Sequence, residues 1–219
     1  MNTPLQSQDE LTGALTRETF EPRLEAALLQ AAQTQEPLTL VWVDIDQFLL
    51  INTHYGHQVG DQVLIQICQK LQEETPDDTL IFRYGGDEFT LILPGMTREQ
   101  ALFTFEGIRL DLANPHPYGD QEFEVSISAG ISSYPIDSTE MDEIQRKAYQ
   151  ALFRVKKEGK GKILLAHDEK MVPKTVHFTE TQLERLTMLA NELSITEARL
   201  LREALDDLIR KYTVNKIEG

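Results

Sequence analysis

The sequence predicts an α/β (α+β) domain followed by a small, separate module. Three observations lead there. From Phe20 to Ala166, apolar residues at helical spacing alternate with short β-rich runs. Two of those runs, Leu80-Ile81-Phe82 and Leu91-Ile92-Leu93, enclose Arg83-Tyr84-Gly85-Gly86-Asp87-Glu88-Phe89, and two glycines with two acids between such runs read as a tight β-hairpin. After Pro173 the pattern restarts with one alternating run and two amphipathic stretches.

Taken in order, residues 1–8 are polar and carry no element. Phe20, Leu24, Ala27, Leu28 and Ala31 predict a helix over Arg17–Thr34, and Leu38–Asp44 has the unbroken β-rich character of a central strand. Val63, Leu64, Ile67 and Leu71 form one side of a helix over Val59–Glu73. The hairpin takes Thr79–Leu93. Thr97 and Gln100 make a capping-box pattern that opens a helix with Ala101, Phe105, Ile108 and Leu112 inward. Phe123, Val125, Ile127, Ala129 and Ile131 alternate as a strand. Ser138 is the expected cap of a helix carrying Met141, Ile144, Ala148, Ala151, Leu152 and Val155. Gly159 ends that helix, and Lys162–Ala166 is a last strand. The core order of strand, helix, strand, strand, helix, strand is the ferredoxin-like plan, which by itself licenses no function.

His167–Pro173 is a polar connector between a domain at 1–166 and a module at 174–219. Lys174–Thr179 alternates polar and apolar residues as a short strand. Thr179 and Gln182 form a second capping box, opening a helix with Leu183, Leu186, Leu189, Ala190 and Leu193 on one face. Ser194-Ile195-Thr196 breaks it, and a second helix holds Leu200, Leu201, Ala204, Leu205, Leu208, Ile209 and Tyr212.

The net charge of −15 argues against binding nucleic acid through a broadly basic surface, and it suits a protein that meets an anionic ligand only at a local cationic site. The single cysteine, Cys68, excludes an internal disulfide and falls on a helical apolar face, where packing explains it. There is neither a signal-peptide pattern nor an apolar run long enough to cross a membrane, so the expectation is a cytoplasmic protein without membrane contact.

The hairpin carries the chemistry. Gly85 and Gly86 admit φ > 0 and leave no side chain over the turn, so a phosphate group can lie against bare backbone. Asp87 and Glu88 are hard oxygen ligands of the type Mg²⁺ prefers. An ordinary hairpin with acids on a solvated turn would look the same, and the other motifs decide between them. Asp9-Glu10-Leu11-Thr12-Gly13 with Arg17 and Phe20 comes first, then Asp44-Ile45-Asp46-Gln47-Phe48, Asn52, Tyr55-Gly56-His57 and Gly60-Asp61. Ser126-Ile127-Ser128-Ala129-Gly130-Ile131 and Ala151-Leu152-Phe153 with Lys156 and Gly159 follow the hairpin. In these motifs, over residues 9–166, the sequence resembles the GGDEF family of diguanylate cyclases, whose palm-type fold is a version of the ferredoxin-like plan.

The resemblance implies condensation of two GTP into cyclic di-GMP by a dimer, with Mg²⁺ as the metal. It makes Asp44 and Asp87 metal ligands, and Asp87 and Glu88 the catalytic residues. Asn52 and Asp61 match the family's guanine-binding pair, although helix capping would also suit Asp61. Lys156 matches a phosphate-binding lysine, and Lys160 stands where the family has an arginine. Both also fit the plain reading of solvated cations at a helix end. Phe48 is expected beside the nucleotide or in the core, Gly85 and Gly86 against the phosphates, and His57 in a structural role. Asp46 need not share the metal.

The sequence departs from the family at Leu49, where a phosphate-facing lysine is usual, and at Thr53, Tyr149 and Gly161. The family's product-inhibition motif, Arg-x-x-Asp, reads here as Pro76-Asp77-Asp78-Thr79.

Residues 174–212 resemble the ribbon-helix-helix family. A module this small buries its apolar faces only with a second copy, which makes it a homodimerisation element. The same family resemblance raises DNA as a partner through Thr175, His177 and Thr179, but acids outnumber bases from Lys174 onward, which disfavours phosphate attraction. The competing expectations are therefore an active cyclase clamped as a dimer, an inactive GTP or cyclic di-GMP sensor, and a nucleotide-responsive DNA-binding regulator.

Overall fold

The structure is a computed structural model; it describes residues 7–167 and 175–193, with positions 196–198, 200, 201, 204, 205, 208 and 211. The chain divides into two compact units, Met1–Glu169 and Lys170–Gly219.

The first unit runs β1 (Leu15–Thr16), a 3₁₀ turn at Arg17–Thr19, α1 (Phe20–Thr34), β2 (Leu38–Ile45), α2 (Phe48–Tyr55) and α3 (His57–Glu74). It continues through β3 (Leu80–Arg83), β4 (Glu88–Pro94), α4 (Arg98–Leu112), β5 (His116–Tyr118), β6 (Gln121–Phe123), β7 (Ile127–Tyr134), α5 (Met141–Lys157) and β8 (Ile163–Leu165). Six strands form one sheet in the order β1-β3-β4-β2-β7-β8. The inner four, β3-β4-β2-β7, are antiparallel and have the strand order of the ferredoxin-like plan.

All eight residues of β2 are buried because helices cover both faces of the sheet. Val41, Val43 and Ile45 pack in one core with α3 and α4, including Leu64, Ile67 and Phe105. Leu38 and Leu40 point the other way, into a core with Phe20 and Leu24 of α1 and Ile144 and Ala148 of α5. Side chains alternate along a strand, so Asp44 falls on the α5 side. On that side β7 carries Gly130, where a Cβ would lie 2.1 Å from Ala148 O and 2.3 Å from Leu152 N. Glycine is what lets α5 approach the sheet this closely.

Several boundaries differ from the sequence reading. The alternation from Phe123 to Ile131 is not one strand: Gln121–Phe123 pairs with β5 in a two-stranded sheet, and β7 starts at Ile127. Val125 and Ile127 enter the same core, which preserves the apolar pattern across the break. Ser138 does not cap α5. Glu140 is the N-cap, and Ser138 Oγ accepts a hydrogen bond from its N–H at 3.0 Å. The helix α2 was not expected, because none of its residues is fully buried; Phe48 and Ile51 pack against the core while Leu49 and Leu50 are exposed, so no clean apolar stripe results. The capping box at Thr97 and Gln100 is complete.

In the second unit, α6 spans Glu180–Leu193, opened by hydrogen bonds between Thr179 and Gln182 in both directions. The expected strand at Lys174–Thr179 is not formed at Thr175–Thr179, and Lys174 lies outside the described residues. A ribbon strand needs a neighbour for its N–H and C=O groups, and among the described residues this stretch has none. Positions 197, 198, 200, 201, 204, 205, 208 and 211 are helical; Ser194, Ile195, Ile209 and Tyr212 lie outside the described residues. Val176, Phe178, Leu183, Leu189, Leu193, Leu201, Leu205 and Leu208 are all exposed. Among the described residues no helix is long and apolar enough to cross a membrane.

Candidate functional site

The site forms where β2, the β3–β4 hairpin and the end of α5 meet. Asp44 stands opposite Glu88 in the antiparallel register of β2 and β4, and opposite Ser128 of β7. Ile45 N donates to Asp87 O at 3.1 Å, which ties the hairpin turn to the same strand end. Lys156, in the last turn of α5, donates to Asp44 Oδ2 at 2.6 Å. The structure thus gathers Asp44, Asp87, Glu88 and Lys156, residues spread over more than a hundred positions.

Three carboxylates around one ammonium leave the cluster anionic. Burial pushes the Asp44 carboxyl up to about 7; Lys156 opposes the shift, and Asp87 and Glu88 reinforce it. Burial also works against the charge on Lys156, but Asp44, Glu88 and Asp87 outweigh it and hold the ammonium above the ordinary lysine value. Among the described residues, no three His, Cys, Asp or Glu side chains converge at metal-ligand spacing. A Mg²⁺ ion does not require such a cage. It is typically held by one or two carboxylates together with substrate phosphates and water, and Asp44 with Asp87 fits that donor set.

The hairpin turn spans Tyr84 to Asp87. Tyr84 N and Gly85 N donate to Glu88 O at 2.9 and 3.2 Å, and Arg83 Nη2 donates to Gly86 O at 3.0 Å. Neither Gly85 nor Gly86 has positive φ, contrary to the expectation. A four-residue connection spreads the reversal over more bonds than a two-residue turn would. At Gly85 what matters is room, since a Cβ there would lie 3.2 Å from Glu88 Oε2. Arg83 also pairs with Asp9 at 3.1 Å, tying the N-terminal segment to the hairpin.

Phe48 and Asn52 lie on α2 and meet α3 at Gly60. A Cβ at Gly60 would fall 1.9 Å from Asn52 Oδ1 and 3.3 Å from Phe48 Cζ. Asp61 follows on α3 and is exposed; Gly56 is the N-cap of that helix, so capping does not explain Asp61. His57 is the first residue of α3. Leu49 is 63% exposed, an apolar side chain on the surface where the family usually has a cation. Lys160 is exposed in the turn after α5 with φ +64, between Gly159 and Gly161, which also have positive φ.

Two groups were missed. Asp46 is buried and accepts hydrogen bonds from Ser126 Oγ, Ser128 Oγ and Gly161 N. The Ser-x-Ser spacing, with Ser126 just before β7 and Ser128 within it, was the available signal. Trp42 packs edge-on against Tyr84 and Tyr149 at 4.6 and 5.5 Å, and Arg17 lies 4.6 Å over the Tyr84 ring. Tyr149, a departure from the family, therefore belongs to an aromatic cluster beneath the hairpin.

Residues 6–162 match the family described as diguanylate cyclase, GGDEF domain, and residues 170–213 match the ribbon-helix-helix domain. The chain is 32% identical over 158 residues to a diguanylate cyclase of Vibrio cholerae, covering 72% of this chain and 49% of that one. It is 34% identical over 158 residues to the diguanylate cyclase DgcM of Escherichia coli, covering 72% and 38%. Across the curated relatives it matches, the chain spans from a fifth to about half of their length. Among solved structures, the GGDEF domain of TpbB from Pseudomonas aeruginosa superposes with a TM-score of 0.69 at 31% identity, over 73% of this chain and 94% of that one. The active GGEEF domain of a Vibrio cholerae diguanylate cyclase gives 0.66 at 30%, over 70% and 98%. With its metal-type carboxylates on β2 and the hairpin, its cation at the end of α5 and these matches, the chain belongs to the GGDEF-domain family of diguanylate cyclases.

Proposed function

We propose that the protein condenses two GTP into cyclic di-GMP and two pyrophosphates, working as a homodimer in which each subunit presents one nucleotide. The observation that carries this is the register of Asp44 against Glu88, with Asp87 in the adjoining turn and Lys156 paired to Asp44. In each half-reaction the 3′-hydroxyl oxygen of one nucleotide bonds to the α-phosphorus of the other. The bond from that phosphorus to the bridging oxygen breaks, pyrophosphate leaves, and the hydroxyl proton departs to base. Such a transfer needs alignment and charge neutralisation more than covalent help from the protein.

Asp44 and Asp87 are the residues that would hold a divalent cation. Bound there, Mg²⁺ supplies Lewis-acid activation of the hydroxyl and neutralises charge on the phosphates. Glu88, beside them, serves the reacting hydroxyl. Lys156 and Lys160 bind phosphate oxygens, and the turn at Gly85 and Gly86 leaves room for the phosphate chain. Asn52 donates to the guanine carbonyl, and Asp61 accepts from N1–H and the exocyclic amine. Phe48, one turn before Asn52 on α2, packs against the core and leaves room beside it only for a glycine at position 60.

The test is incubation of purified protein with GTP and Mg²⁺, with chromatography of the products. Wild type yields cyclic di-GMP, and Asp44→Ala and Asp87→Ala yield none. GTP binding without turnover in the wild type would replace this reading with that of a nucleotide sensor, which the exposed Leu49 favours by leaving the triphosphate site one cation short.

A further inference from the structure

We propose that Asp46 is a positioning residue for the nucleotide phosphates, acting through the turn that carries Lys160. The proposal rests on the nucleotide-site reading above and adds a residue to it.

Asp46 lies two residues beyond Asp44, just past the end of β2, and is buried. Its Oδ2 accepts from Ser126 Oγ at 2.6 Å, Ser128 Oγ at 3.0 Å and Gly161 N at 2.9 Å, and its Oδ1 accepts from Ser128 Oγ at 2.8 Å. Neutral donors fill the carboxylate, and at 2.6–3.0 Å they hold it as an anchor in place of a metal-ligand role. A buried carboxylate satisfied this way is stable in its place, and losing it strands several donors at once.

What it anchors is unusual. Gly159, Lys160 and Gly161 have φ of +113, +64 and +62 in succession. A non-glycine residue in the left-handed region costs about 1 kcal/mol, and the surroundings must enforce it. Here two consecutive backbone N–H groups are held by two different elements. Lys160 N donates to Val155 O at 3.0 Å on the α5 side, and Gly161 N donates to Asp46 on the sheet side. Gly161 N also reaches Ser128 Oγ at 3.0 Å, and Ala129 N donates to Lys162 O at 3.0 Å just beyond. The backbone of Lys160 is thereby fixed relative to the strand that carries Asp44. An exposed lysine on an unanchored glycine-flanked turn would sample many positions and lose binding strength to that freedom.

The experiment is a double-mutant cycle with Asp46→Ala and Lys160→Ala, read by calorimetric titration with a non-hydrolysable GTP analogue, by KM and kcat, and by Mn²⁺ binding without nucleotide. Asp46→Asn is included as the conservative variant. Asp46→Ala is expected to weaken analogue binding and raise KM about tenfold, with kcat and Mn²⁺ affinity changed by less than about threefold. In the Asp46→Ala background, Lys160→Ala is expected to add less than about a twofold loss, because the two act as one unit. Asp46→Asn, which keeps a carbonyl acceptor for Gly161 N, is expected to recover most of the loss; Asp46→Ser, too short to reach Gly161 N, carries the cycle if Asp46→Ala does not fold. Fully multiplicative losses from the two sites would overturn the proposal. So would lost Mn²⁺ binding with unchanged analogue affinity, which would make Asp46 a metal ligand, or reduced thermal stability alone, which would make it purely structural. If the wild type does not bind the analogue, the nucleotide reading fails and this one with it.

Discussion

Lys156 Nζ lies 2.6 Å from Asp44 Oδ2, so the cation assigned to the triphosphate sits on the carboxylate assigned to the metal. A lysine engaged there competes with a divalent ion for the same oxygen. Lys156→Met is therefore expected to strengthen Mn²⁺ binding in the absence of nucleotide several-fold, measured by electron paramagnetic resonance. The same variant is expected to weaken GTP binding by roughly 1–3 kcal/mol through the lost charge-assisted bond to phosphate. Both affinities falling together would mean that Lys156 supports the metal site and does not compete with it.

The same pair predicts a pH dependence of stability. The Asp44 carboxyl is raised by burial from 3.8 to about 7, so the folded protein holds this proton more tightly than the unfolded chain does. Its stabilising contribution is fully present below about pH 4 and is lost as pH rises through about 7. Asp44→Asn removes the proton exchange and nothing else that titrates. The unfolding free energy of wild type minus that of Asp44→Asn is expected to fall between pH 4 and pH 8, by at most about 4 kcal/mol. A flat difference in urea titrations across that range would show that burial does not raise the Asp44 carboxyl above its unfolded value.

Two glycines test different parts of the architecture. At Gly130 an added Cβ meets backbone atoms of α5, which cannot step aside. Gly130→Ala is expected to destabilise the fold by about 3 kcal/mol or more, by chemical denaturation. At Gly60 the added Cβ meets the side-chain oxygen of Asn52, which can rotate away. Gly60→Ala is expected to leave stability within about 1 kcal/mol while raising KM for GTP, because it displaces Asn52, the residue proposed to face the guanine. Equal loss of stability at both sites would remove the distinction.

The fold was legible in the sequence wherever burial imposes a period. The eight buried residues of β2, the α3 stripe and the Thr97 capping box all follow from local rules. The misses share a cause. No residue of α2 is buried, so it leaves no stripe to read. The split between β6 and β7 preserves the apolar alternation, so only pairing reveals it. Thr175–Thr179 alternates as a strand would but forms none, because alternation alone supplies no pairing partner. At the site, Asp44, Asp87, Glu88 and Lys156 were readable as motif positions. The anchoring of Asp46 by Ser126, Ser128 and Gly161 joins segments eighty and more residues apart and needed the fold.

Product inhibition is expected to be weak at the family's usual inhibitory position. Pro76 and Thr79 stand at the arginine and aspartate positions of the family's product-inhibition motif, and Thr79 N is committed to a turn with Pro76 O at 2.9 Å. Initial rates are expected to be insensitive to micromolar cyclic di-GMP. Strong noncompetitive inhibition in that range would reveal a second inhibitory surface.

In the proposed condensation two nucleotide sites must meet, so the rate is expected to follow the population of dimers. In the second unit Leu183, Leu189 and Leu193 of α6 and Leu201, Leu205 and Leu208 beyond it are exposed in the single chain. A run of leucines this extensive in so short a module is a strong driving force for pairing with a second copy, which would also give Thr175–Thr179 the neighbouring strand it lacks. Such a clamp tethers two cyclase units and raises their effective concentration to roughly the millimolar range. The full chain is expected to sediment as a dimer at low micromolar concentration. A chain ending at Ala166 is expected to be monomeric, with activity per molecule that rises with its concentration. Leu201→Asp is expected to behave like the truncation, since a charge buried in the shared core costs several kcal/mol. A truncated chain that stays dimeric and equally active on dilution would refute the clamp. DNA binding by the module, tested by mobility shift with the full chain, would then be its better explanation.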